Sequence, residues 1–189
     1  MIAPRMTALA QAAIATRLSP GDSAIDATMG NGHDTLFLAK QVGPAGQVWS
    51  FDIQPEALIQ TRRLLDASSG MPWVNLVLKG HESMDQIIPA AAHCRIKAIM
   101  FNLGYRPGGD HTLITQSVTT RQALMVAAQL LSPQGIISVV YYPGHDDGAE
   151  SCHLSQWLLD EHCPLRIIEA VPPPVTRKPS PGLWLLKTV

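Results

Sequence analysis

Residues 23–52 read SAIDATMGNGHDTLFLAKQVGPAGQVWSFD. The run Ser23–Ala27 is short, apolar and broken by one acid, which predicts a strand. Thr28-Met29-Gly30-Asn31-Gly32 predicts a turn. From His33 to Val42 the apolar residues Leu36, Phe37 and Ala39 gather on one side, as in a helix. Gly43-Pro44-Ala45-Gly46 breaks the chain again, and Gln47–Asp52 predicts a second strand that also closes on an acid. Strand, turn, helix, breaker and strand make one unit of a parallel sheet covered by helices.

The same alternation extends outward. Residues 5–18 predict a leading helix that Ser19-Pro20-Gly21-Asp22 ends. Pro55–Ala67 predicts a helix with proline in its first turn, where a missing N–H is harmless. Val74–Leu78 predicts a strand, Glu82–Ala91 a short helix, Ile96–Phe101 a strand and Thr115–Leu131 a long helix. After the turn Pro133-Gln134-Gly135, Ile136–Tyr142 predicts a strand whose unbroken apolar run suits burial on both faces. A helix over 147–161 and strands over 165–171 and 183–187 complete the chain, with a stiff Pro-rich stretch, Val171–Gly182, before a final antiparallel strand. The expected architecture is one α/β domain over residues 1–189.

The chain has 189 residues, 46% hydrophobic and 15% charged, which suits a globule with a full core and excludes disorder. Lys and Arg number 14 against 15 Asp and Glu, a formal charge of −1. Such a body does not hold nucleic acid by bulk charge, although local basic patches remain open. Three cysteines without a CxxC argue against a disulfide framework or a zinc knuckle. No apolar run reaches the length of a membrane span, so a cytoplasmic protein without a membrane partner is expected.

In an open parallel sheet, ligands sit beyond the carboxyl ends of the strands. Gly30 and Gly32 allow close approach of the backbone there, and the next helix offers free N–H groups. Asp52 follows Gly32 by twenty residues and is placed to accept both hydroxyls of a ribose. A dinucleotide fingerprint needs a third glycine where Thr35 stands, and no GK[ST] of a phosphate loop occurs. A nucleoside cofactor without phosphates remains, and S-adenosyl-L-methionine fits. Asp26, Thr28, Asp34 and the Gly30-Asn31-Gly32 turn would meet its methionine part, Asp52 its ribose, and Gly80-His81-Glu82 its adenine.

The fourth strand runs out into Phe101-Asn102-Leu103-Gly104-Tyr105-Arg106-Pro107-Gly108-Gly109-Asp110. Methyl transfer to an amine is an in-line displacement, so the nitrogen lone pair must face the methyl carbon. The Asn102 side-chain oxygen can accept an N–H from the amine and aim it. Tyr105 offers a ring face to a base, a contact worth ~1–3 kcal/mol. Past the fifth strand, Tyr141-Tyr142-Pro143-Gly144-His145-Asp146-Asp147-Gly148-Ala149-Glu150 brings Tyr142 and His145 to the same rim. Asp110 or His145 would take a proton from the amine. Asp146, Asp147 and Glu150 open a helix, where capping and dipole effects account for at least two of them.

Together these motifs, with Phe51-Asp52-Ile53-Gln54 and Thr119-Thr120, resemble one family over about residues 5–170. It comprises the small bacterial class I methyltransferases long labelled rRNA methylases and understood as tRNA 5-aminomethyl-2-thiouridine methyltransferases. The resemblance implies a Rossmann-like, seven-stranded, mostly parallel sheet and methylation of the aminomethyl nitrogen of a wobble uridine, with the tRNA anticodon region as partner. It places Asn31, Asp52, Gln54, His81 and Asn102 at the cofactor, and Tyr105, Asp110, Tyr142 and His145 on the substrate side. Arg106, Arg177 and Lys178 could meet RNA phosphates.

Three rivals differ in chemistry. One methylates another RNA or base nitrogen, and one binds cofactor or RNA without catalysis. The third is a metal hydrolase built on Cys152-His153 and His162-Cys163, whose spacing is not that of ligands; no metal site is expected. Apolar faces such as Leu158-Leu159 and Trp184-Leu185-Leu186 permit a homodimer.

Overall fold

A computed structural model describes residues 5–104, 108, 114–143, 148–174 and 180–189. All seven strands join one sheet in the order β3-β2-β1-β4-β5-β7-β6. They are β1 (Ser23–Asp26), β2 (Gln47–Asp52), β3 (Val74–Leu78), β4 (Ile96–Asn102), β5 (Leu131–Tyr141), β6 (Leu165–Val171) and β7 (Gly182–Thr188). The pairs β1–β2, β2–β3, β1–β4 and β4–β5 are parallel. Strand β7 runs antiparallel between β5 and β6, as the final segment predicts. From β1 the chain builds outward to β3 and then crosses back to β4, so the order reverses between β1 and β4. A crevice opens at such a reversal.

The helices are α1 (Met6–Ala15), α2 (His33–Val42), α3 (Pro55–Asp66), α4 (Met84–Ile87), α5 (Ser117–Leu130) and α6 (Ala149–Leu158). Side chains alternate along the strands and build a core on each face of the sheet. Ala24, Val48, Ala98, Ile136 and Val140 pack with Ile14 of α1, Leu38 of α2 and Leu65 of α3. Ile25, Phe51, Ile99, Phe101 and Ile137 face the other way, onto Met84 of α4, Leu124 of α5 and Leu154 of α6. Each fully buried leucine or isoleucine contributes about 1.5–3 kcal/mol by leaving water.

Some boundaries differ from expectation, with local causes. The single helix expected over Glu82–Ala91 is instead a 3-10 turn at His81–Ser83, the short α4 and a second 3-10 turn at Ala90–Ala92. Pro89 follows Ile88, and the residue before a proline avoids helical geometry. Ile88 accordingly has ψ 124° and ends α4. Strand β5 begins at Leu131, earlier than expected, yet Ile96 pairs with Leu131 and Ala98 with Ile136. Ser132–Gly135 therefore bulge from the ladder, where a turn was expected. Trp184, Leu185 and Leu186 are buried in the sheet and offer no face to a second copy, whereas Leu159 is exposed. No helix among the described residues is long and apolar enough to cross a membrane.

Candidate active site

A cleft of about 500 Å³ opens at the carboxyl ends of β1 to β5. Its size lies within the range of small-molecule sites. The first wall is the turn after β1. There Gly32, the N-cap of α2, sits at φ 82°, and a Cβ on it would stand 2.6–2.9 Å from the Thr61 side chain of α3. Only glycine meets both demands, and the tight turn brings Gly30 to the cleft.

The two strand-closing acids have different surroundings. Asp52 lines the cleft. Its Oδ2 accepts the Gly30 N–H and its Oδ1 the Gln54 N–H, both at 2.9 Å. A carboxylate has roughly four acceptor positions, so each oxygen keeps one for a ligand hydroxyl. Asp26 is 1% exposed and lies beneath the cleft, outside its wall. Its carboxylate accepts the Thr28 N–H at 3.2 Å and the Thr35 hydroxyl at 2.6 Å. Burial first, then the nearby Asp34 carboxylate, push the pKa of Asp26 up to about 7. Asp34 lines the cleft, and burial raises its pKa as well, against the opposing hydrogen bond from Gln11 Nε2 at 2.6 Å.

The third wall is His81, just past β3. Its Nδ1 lies 3.2 Å from the Ala27 carbonyl, which can only accept. Nδ1 therefore carries the proton and leaves Nε2 as an acceptor. Burial lowers the pKa of His81, which keeps the ring neutral near pH 7. Across the cleft stands Asn102 at the end of β4. Its N–H donates to the Thr28 hydroxyl at 2.7 Å, joining the ends of β1 and β4 at the reversal.

Of the residues expected at the cofactor, Thr28, Gly30, Asn31, Asp34, Asp52, Gln54, His81, Glu82 and Asn102 line this one cavity. Asp26 and Gly32 support it from behind. Tyr142 lines the cavity on the side of β5. Tyr105, Asp110 and His145 lie outside the described residues, as do Arg106, Asp146, Asp147, Arg177 and Lys178.

The cleft also uses Ile53, Thr115 and Gln116, which sequence reasoning passed over. A signal existed for the last two, because the helix after a strand starts at the ligand edge. Gln11 gave no signal, since it meets Asp34 from 23 positions away. Among the described residues no group of three or more His, Cys, Asp or Glu is arranged to hold a metal ion. Cys152 is exposed and Cys163 buried, in separate settings.

A family model described as "Putative rRNA methylase" matches residues 48–162. A protein of Arabidopsis thaliana named "tRNA (mnm(5)s(2)U34)-methyltransferase, chloroplastic" is 43% identical over an alignment of 141 residues that covers 70% of this chain and 51% of that protein. The chain thus spans about half the length of this curated relative. A "putative rRNA-methylase" from Clostridium thermocellum superposes with TM-score 0.90 at 35% identity, over 100% of both chains. A "putative methyltransferase" from Streptococcus mutans, solved in complex with SAH, superposes with TM-score 0.84 at 30% identity, again over 100% of both chains.

Proposed function

The chain belongs to the rRNA methylase family, and from that premise we propose that it methylates the aminomethyl nitrogen of 5-aminomethyl-(2-thio)uridine at the tRNA wobble position, with S-adenosyl-L-methionine as donor. The plant relative's name supports the substrate and the bound SAH of the streptococcal neighbour supports the donor. One observation carries the reading: Asp52 and His81 share a single cleft with Asn102 and Tyr142. A nucleoside site and an amine-orienting side chain therefore open into the same space.

The residues present fit the donor. Both Asp52 oxygens retain capacity for ribose hydroxyls after taking their backbone N–H groups. His81, Glu82 and the 58%-exposed Ile53 line the cleft and would hold the adenine. Gly30, Asn31 and Asp34 line the cleft, with Asp26 buried beneath it, and would hold the amino-acid part. When bound, S-adenosylmethionine supplies a methyl group on an electrophilic sulfonium.

The protein's part is orientation and proton removal. Asn102 accepts an N–H of the substrate amine through its side-chain oxygen and aims the lone pair. Positioning of this kind is worth up to roughly 7–11 kcal/mol. A lysine-like amine with a pKa of ~10.4 costs about 4–5 kcal/mol to present neutral at pH 7. Asp110 or His145 would accept that proton, and Tyr105 and Tyr142 would serve the substrate side. At a net charge of −1, RNA is held by local cations, with Arg62, Arg63, Arg106, Arg121, Arg177 and Lys178 as candidates. Arg121 is also engaged over the Trp157 ring, 5.6 Å from its centroid.

The test is mass spectrometry of nucleosides from tRNA incubated with the protein and S-adenosylmethionine. The aminomethyl wobble nucleoside should convert to its methylaminomethyl form. An unchanged tRNA alongside methylated rRNA would move the substrate to rRNA. Donor binding with no methylated RNA would reduce the protein to a binding module.

A further inference from the structure

Glu150 opens α6 behind Gly148, which caps the helix at φ 82°. An acid in a first helical turn ordinarily faces solvent and interacts with the helix dipole. Glu150 is instead only 9% exposed. Its Oε1 accepts the Thr120 hydroxyl of α5 and its Oε2 the Thr115 hydroxyl, each at 2.7 Å. The Thr115 oxygen accepts in turn the Gly104 N–H at 2.8 Å, and the Thr115 N–H donates to the Gly104 carbonyl at 3.1 Å.

A hydroxyl has a single proton. The Thr115 hydroxyl donates its proton to Glu150 Oε2, which leaves the oxygen lone pairs to the Gly104 N–H. The chain Glu150–Thr115–Gly104 thus has a fixed direction. Gly104 sits at φ 116° and follows Asn102 by two residues. The three successive N–H groups of 102–104 go to three places: the Thr28 hydroxyl, the Val140 carbonyl at 2.8 Å and the Thr115 hydroxyl. Only the third continues to another side chain.

We infer that Glu150 is a positioning residue for the methyl-acceptor side of the cleft. Through the Thr115 hydroxyl it fixes Gly104, and so sets how Asn102 is presented to the cleft. This rests on the reading of Asn102 as the group that orients the amine. Thr115 itself lines the cleft, while Glu150 is not among its lining residues. Glu150→Gln keeps size but replaces one acceptor with a donor, so one of the two hydroxyls must turn.

The experiment compares Glu150→Gln, Thr115→Val, Thr115→Ser and Thr120→Val in the full chain. The readouts are single-turnover methylation of aminomethyl tRNA, affinity for S-adenosylhomocysteine, melting temperature and hydrogen exchange of the Gly104 amide. E150Q and T115V should slow turnover about tenfold or more, the equivalent of one hydrogen bond, with affinity for S-adenosylhomocysteine within about twofold. The Gly104 amide should exchange about tenfold faster in both. T115S, which keeps the hydroxyl, should recover most of the rate. T120V should lower the melting temperature with turnover within about threefold, since it leaves the Thr115 arm intact.

Equal losses of turnover and affinity, T115S no better than T115V, or an unchanged Gly104 amide in T115V would overturn the inference. If E150Q fails to fold, T115V against T115S decides. If the wild-type protein methylates no aminomethyl tRNA, the functional reading fails by itself. The Gly104 exchange then decides the Glu150–Thr115 clamp alone.

Discussion

The cleft is held differently on its two sides. Around β1 and β2, carboxylates grip backbone close by: Asp26 takes the N–H two residues on, and Asp52 takes that of Gln54 two residues on. Around β4 and β5 the grips reach across the chain. Thr28 holds Asn102 from 74 positions away, and Glu150 reaches Thr115 and Thr120 from 35 and 30. The proposed cofactor side thus joins locally braced turns by a few ties, Asp52 to Gly30 and Gln11 to Asp34 among them, whereas the proposed substrate side depends throughout on separate elements docking together. Donor binding and methyl transfer should therefore be separable by mutation.

Asn102→Ala is the largest expected break in that comparison. It removes the oxygen proposed to orient the amine but leaves the backbone bond to Thr28, because that bond uses the main-chain N–H. We expect kcat to fall about 100-fold or more, the scale seen for losing one preorganised polar group, with donor affinity nearly unchanged. Single-turnover kinetics beside equilibrium binding measures both. A matching loss of affinity would make Asn102 a shared structural support and erase the division between the sides.

A separate effect, on stability rather than on rate, sharpens the cofactor side alone. The carboxyl of Asp26 has its pKa raised to about 7 by burial and by Asp34, whereas an unfolded Asp titrates near ~3.9. Between those values the unfolded chain loses a proton that the folded protein keeps. The contribution of Asp26 is therefore fully present below about pH 4 and is lost as pH rises through about 7, an effect on the order of 4 kcal/mol. Urea titrations at pH 5 and pH 8 should show a fall in stability that Asp26→Asn flattens. The same fall in wild type and D26N would mean that Asp26 is ionised in the folded protein throughout.

Much of the cofactor side was legible because its signals are local. Gly, Pro and Asn punctuate the chain around 28–32 and 43–46, so α2 and β2 begin and end where the pattern predicts. Asp52 and His81 follow from the rule that ligands gather at strand ends. Asp26 illustrates the limit of that rule, since an acid at a strand end can close the floor as readily as line the wall. Pro89 dividing the region 82–91 could have been read locally, and the bulge at Ser132–Gly135 was visible as a turn. Gln11 on Asp34 and Glu150 on Thr115 were out of reach, because no periodicity records a contact between side chains 23 or 35 positions apart. Glu150 carried every local mark of a helix-opening acid and was turned inward by α5.

Calorimetric titration of S-adenosylhomocysteine into the wild-type chain and Asp52→Ala tests most directly the claim that the crevice between β1 and β4 is a nucleoside-donor site. The wild type should bind one molecule, and D52A should lose about 10- to 100-fold in affinity, as expected for charge-assisted hydrogen bonds to the ribose hydroxyls. Binding of equal strength in both proteins, or none in the wild type, would contradict the account.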